Sequence, residues 1–282
     1  VKQQFAPENL IDEAHRPLAL RGVAPTRAVN RSTVRIGEAR EFESLWHALE
    51  HDARPCTSVA HAAQRYADGF YRLFAQSTVL VRVFGTFRYG CLPEYEQDLV
   101  REIAMRAASE DLLSDDTDVL TLLGTRGMRS QWNERTASRE HRVVPLQSAG
   151  FVGEIPMIAR VLSETGFAPF GTPRIRSQYV VRAGAGGEGL FFVGDARVTT
   201  DERGRLIVPA VDFVTEHGIR TVFGFGGPYR SARNFVTTIV FCRETISRTT
   251  AANFITLGHR FRTQTESLLA AGAVFEPAAQ SG

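Results

Sequence analysis

Apolar positions along the chain fall into blocks whose period changes from helical to extended and back. Residues 58–74 keep the spacing i, i+3, i+4, i+7: Val59, Ala62, Ala63, Tyr66, Ala67, Phe70, Leu73 and Phe74 form one stripe, with Ser58 placed to cap it. Residues 38–51 predict a shorter helix with Phe42, Leu45, Trp46 and Leu49 on one face, interrupted at 52–56. The run 78–84, Thr-Val-Leu-Val-Arg-Val-Phe, predicts a buried strand, and 85–93 a loop or second short strand. Pro93 suits the first turn of a helix over 94–109, and an acidic loop follows at 110–118. Apolar runs at 119–123 and 143–146 predict two more strands. Ser148 caps a short turn, Pro156 opens a helix to 165, and Gly166 ends it. The glycine-rich stretch 182–189 predicts a hairpin tip between 178–181 and 190–194. It lacks the Gly-Lys-Ser/Thr ending of a phosphate loop and opens no helix. Residues 206–211 read as extended and 212–217 as a helical turn ended by Gly218. A strand over 219–225 places Ile219, Thr221, Phe223 and Phe225 on one face and Arg220 and Val222 on the other. It should pair with the β-branched run 234–242 across a turn, before a closing helix at 247–269.

This order of elements predicts an α+β fold with a mostly antiparallel central sheet flanked by helices. Strict strand–helix alternation is missing, which excludes a doubly wound parallel sheet. Residues 1–57 read as an N-terminal arm and helix or linker, with prolines at 7, 17 and 25 and a short helix near 7–15. Residues 58–270 read as the domain, and 271–282 as a frayed tail.

Composition narrows the function classes. An apolar content of 43% with 10% aromatics supplies a real core. Net charge is only +2 and acidic residues are interspersed with the basic ones, which argues against a nucleic-acid surface. Three cysteines, Cys56, Cys91 and Cys242, lie far apart with no C-x-x-C, so a disulfide framework or structural zinc site is not expected and a reducing cytoplasm fits. No apolar run reaches membrane-spanning length. The start has no signal-peptide pattern and no initiator Met, which leaves room for a longer parent protein.

Candidate chemistry concentrates in 118–166, where Arg126, Arg129, Arg135 and Arg139 surround Trp132 and Asn133, with His141 following. Guanidinium groups can bind carboxylate or phosphate bidentately, and an indole can stack on a flat ligand. The plainer reading makes the arginines braces of a long connection, Trp132 a packing anchor and Asn133 a turn cap. His141 and His217 are lone histidines, more often structural than ligands, and no clustered spacing supports a metal. Cys242 reads as inert core, whereas Cys56 and Cys91 sit in loops. Ser148 has no visible base, and Asp195 with Glu154 has no catalytic partner. No catalytic constellation emerges.

The stretch 212–227, Asp-Phe-Val-Thr-Glu-His-Gly-Ile-Arg-Thr-Val-Phe-Gly-Phe-Gly-Gly, followed by 235–242 and the closing helix, resembles the C-terminal half of a bacterial GAF domain. The helix 58–74 and strand 78–84 are similar to that fold's opening. The resemblance covers about 58–270, longer than a compact GAF domain, so insertions are expected. It implies a GAF/PAS-like, cytoplasmic sensory or regulatory module without catalysis of its own. A small-molecule pocket would lie between sheet and covering helices, a homodimer would form through 58–74 and 247–269, and an effector domain would be fused or separate. Within that reading the ligand contacts are Arg126, Trp132, Asn133, Arg135, Arg139, His141, Arg220 and Phe223. Two alternatives stand beside it: a thiol-dependent reductase of free methionine sulfoxide using Cys56 and Cys91, and a haem-bound gas sensor through His141 or His217.

Overall fold

A computed structural model describes residues 33–40, 42–53, 56–138, 142–167 and 189–276. Six strands, β1 (Thr78–Arg88), β2 (Asp118–Gly127), β3 (Val143–Pro145), β4 (Gly189–Val193), β5 (Thr221–Pro228) and β6 (Phe235–Cys242), form one sheet in the order β3-β2-β1-β6-β5-β4. Every pairing is antiparallel. The helices are α1 (Phe42–Ala53), α2 (Val59–Leu73), α3 (Glu94–Arg106), α4 (Ala149–Gly153), α5 (Pro156–Thr165), α6 (Val211–Glu216), α7 (Arg248–Ala252) and α8 (Ile255–Ala270). The fold is α+β with an antiparallel sheet flanked by helices, as the order of elements predicts.

Each face of the sheet builds its own core. On the first face, α1, α2 and α8 cover Val81, Val83, Phe223, Phe225, Val236 and Val240. On the second face, Leu80, Phe84, Leu120, Leu122, Phe191, Val222, Ile239 and Phe241 pack with residues of α4, α5 and α6. The α2 stripe is used entirely within the chain: Val59, Ala63, Ala67 and Phe70 are fully buried, and Tyr66 meets Phe261 of α8 at 5.0 Å between ring centres. Among the residues of α2 only Arg65 and Arg72 are exposed, so that stripe cannot also be a dimer seam.

Several boundaries differ from the expected ones for local reasons. Strand β1 continues into the segment expected as a loop or second short strand, because Gly85–Arg88 go on pairing with β2 after a register shift between Val83 and Phe84. Strand β5 starts at Thr221, and Ile219, ahead of it, turns into the second core. The closing helix breaks at Asn253 and Phe254 into α7, capped by Ser247, and α8. Residues 206–211 form no strand; Leu206 makes one isolated bridge to Thr200. Segment 33–53 is not a free linker: Ile36 and Leu49 are fully buried, and Glu244 accepts hydrogen bonds from Arg35 Nε, Ser77 Oγ and Gly37 N. The chain after α8 does not fray at once. Val59 N and Ala60 N, two of the N–H groups that a helix start leaves without intrahelical partners, donate to Ala273 O and Val274 O, each at 2.9 Å. Residues 7–15 and the hairpin expected at 178–189 lie outside the described residues, apart from Gly189. Among the described residues no helix is long and apolar enough to cross a membrane.

Candidate functional site

The connection after β2 folds into short turns, and its polar groups are bound to the protein itself. Asn133 Oδ1 accepts from Gly127 N at 2.9 Å, as a turn cap. Trp132 O accepts from Thr125 Oγ1 at 2.9 Å. The Trp132 ring packs edge-on against Phe213 at 5.5 Å and His217 at 5.0 Å. It therefore anchors the connection to α6 on the second face.

The arginines mostly face carboxylates. Arg126 lies 3.6 Å from Asp68, and Arg129 pairs with Glu216 while its guanidinium sits 5.7 Å from the Trp132 ring centre. Arg135 and Arg142 converge on Glu96 of α3, whose side chain is fully buried. Arg135 also lies 5.2 Å from the Phe275 ring centre, tying the segment after α8 to the same cluster. Removing solvent from a carboxylate is costly unless opposite charge replaces it, and two guanidiniums do that here. Among the described residues of this stretch, the arginines act as braces rather than as an open anion site. Arg139 and His141 lie outside the described residues.

Nor do the remaining expected residues join one wall. Phe223 is fully buried in the first core, 5.4 Å from Phe254 between ring centres, whereas Trp132 packs against the second core. The sheet separates them. Arg220 donates its backbone N–H to Cys242 O at 2.8 Å and accepts from Ala196 N at 2.7 Å, which fixes the entry to β5.

His217 ends α6 with its side chain only 6% exposed. Burial, aided by Arg129 and Arg243 and opposed by Glu216, lowers its pKa from the usual 6.5. The neutral imidazole is therefore the form the fold favours. Stability from this group is intact above the unfolded value of 6.5 and is lost as pH falls through the lower folded value. The melting temperature should drop between pH 7 and pH 5, and His217→Phe, which keeps the ring contacts, should flatten that drop; equal slopes in calorimetry would contradict the assignment.

Free thiols Cys56 and Cys91 are part-buried and exposed, and Cys242 is buried. Burial pushes the Cys56 thiol up, opposite to what a nucleophile needs. Among the described residues no group of three His, Cys, Asp or Glu is placed to hold a metal ion.

One charged side chain escaped the expected set. Arg82 stands in the middle of β1, paired across the sheet with Thr125 and Ile239. Cross-strand partners share a face, and Ile239, with Leu80 and Phe84 two residues to either side on β1, belongs to the second core. Arg82 Nε is buried without a hydrogen-bond partner, and no carboxylate among the described residues pairs with this guanidinium, while the residue as a whole keeps part of its surface exposed. Burial pushes its pKa down to about 10, which leaves it a cation at neutral pH. Thr237 Oγ1, on the same face opposite Phe84, is a second buried polar atom without a partner. Tyr66 Oη and Thr78 Oγ1 share that condition, but they are neutral hydroxyls and the desolvation cost is far greater for a charge. The signal for Arg82 was present in the sequence as the one charge inside an apolar run.

Comparison with family models and with curated proteins finds no match for this chain.

Proposed function

We propose that the chain is a GAF-like, cytoplasmic sensory or regulatory module that binds a small molecule on the second face of its sheet and catalyses nothing itself. The unpaired Arg82 guanidinium among Leu80, Phe84 and Ile239 carries this reading. A part-buried charge without a counter-charge weakens the fold, and such conflicts are expected at functional sites. The helix–strand–turn–strand–helix order of α6, β5, β6 and the closing helices supports the GAF-like assignment. Three free cysteines support a reducing compartment.

A route for the signal leads from that face to the helix layer. Thr125, the cross-strand partner of Arg82, has its backbone N and O both bound by the side chain of Gln64 on α2, at 3.1 and 2.9 Å. A ligand that shifts β1 against β2 would act on α2 through that pair. A homodimer through α2 and α8 would have to use their outward rows, Arg65 and Arg72 on the one and Thr256, Thr263 and Ser267 on the other. The effector, fused or separate, would read the same helices.

A thermal-shift screen of small metabolites tests the function. A sensor raises its melting temperature with ligand concentration as binding to the folded state alone requires, and returns the compound unchanged. Chemical conversion of a stabilising compound, or no stabilisation across compound classes, would overturn the reading.

A further inference from the structure

Resting on the second-face reading, we infer that the ligand is a small organic monoanion, a carboxylate on an apolar body, whose charged end seats on Arg82 and Thr237. The two residues are diagonal neighbours across β1 and β6, since Arg82 pairs with Ile239 and Phe84 with Thr237. That relation puts their backbones roughly 7–8 Å apart, within the span of one carboxylate and two side chains. A guanidinium offers a fork of N–H donors that matches the two oxygens of a carboxylate, and the threonine hydroxyl can donate one more bond. Together they would satisfy both orphaned groups at once.

Charge balance selects the monoanion. The guanidiniums on the elements that cover this face are already matched: Arg129 by Glu216, Arg160 by Glu164, Arg203 by Glu154, and Arg205 by Asp201 and Glu154. Arg220 and Arg243 have no carboxylate either, but they stand outside the strands, ahead of β5 and past the end of β6, so among the described residues Arg82 is the one unmatched cation within the strands of this face. A dianionic phosphate would replace an unpaired positive charge with an unpaired negative one, and the desolvation cost would return. A monocarboxylate leaves none. The neighbours Leu80, Phe84, Ile239 and Phe241 select for an apolar remainder on the ligand.

The full chain is titrated with benzoate, benzamide and phenyl phosphate, followed by thermal shift, for wild type, Arg82→Met and Arg82→Lys. Methionine keeps much of the volume and removes the charge. Benzoate should stabilise wild type with a dependence on concentration, benzamide at least tenfold more weakly, and phenyl phosphate more weakly than benzoate. Arg82→Met should lose the benzoate effect and, without ligand, melt above wild type because a part-buried charge without a counter-charge has gone. Arg82→Lys should retain part of the response. Benzoate stabilising Arg82→Met as well as wild type overturns the inference, as does benzamide matching benzoate in wild type. A neutral metabolite that stabilises wild type and Arg82→Met alike removes the anion assignment and leaves the sensory reading standing. Failure of every compound, here and in the wider screen, removes both.

Discussion

Glu96→Ala should lower the unfolding free energy by about 3–5 kcal/mol, the range for removing one partner from a buried ion pair. Glu96 is fully buried, and the side chains of Arg135 and Arg142 that meet it are only 15% and 11% exposed. Without the carboxylate, two guanidiniums remain in a poorly solvated place facing each other and the ring of Tyr95, which lies 4.9 Å from the Arg142 guanidinium. A loss of that size is a large part of the roughly 5–15 kcal/mol that holds a typical domain together. Urea unfolding measures it directly. A change under about 1 kcal/mol, as surface pairs give, would show that the cluster is not a brace.

Gly124→Ala should be nearly as disruptive, for a steric reason. A Cβ at Gly124 would stand 2.4 Å from the carbonyl carbon of Ala63 and 2.5 Å from its oxygen. These are backbone atoms of α2, so no rotamer change can yield; the helix must lift from β2. Overpacking in a close-packed interior costs about 1–3 kcal/mol, and contact with backbone puts this case at the upper end, near 3 kcal/mol. Because the obstruction is backbone, Ala63→Gly should not rescue it. Recovery of stability in the double variant, read by the same urea titration, would contradict the stated contact.

Much of the fold was legible because it rests on local periodicity. The 58–74 stripe and its Ser58 cap, the pairing of the strand expected at 219–225 with the one expected at 234–242, and the left-handed Gly166 after α5 all follow from spacing and backbone chemistry. The candidate site was less legible because it depends on tertiary neighbours. Alternation within 219–225 identified which residues share a side with Phe223, but no local rule states on which side of the sheet Trp132 lands. The arginines near Trp132 looked like free cations because Glu96 lies some forty residues earlier in the chain, on α3. Arg82 carried its signal within seven residues, as one charge in an apolar run; its importance became clear only when the guanidiniums on the covering elements had found carboxylates.

Isoleucine methyl NMR during a titration with a stabilising ligand tests the second-face site most directly. Ile158, Ile207, Ile219 and Ile239 belong to the second core, whereas Ile36 and Ile246 belong to the first. With the ligand on the second face, the Ile239 methyl, beside Arg82, should move most, with other second-core methyls following and Ile36 and Ile246 nearly still. Large shifts at Ile36 and Ile246 with Ile239 unmoved would place the ligand among the helices of the first face and contradict that placement.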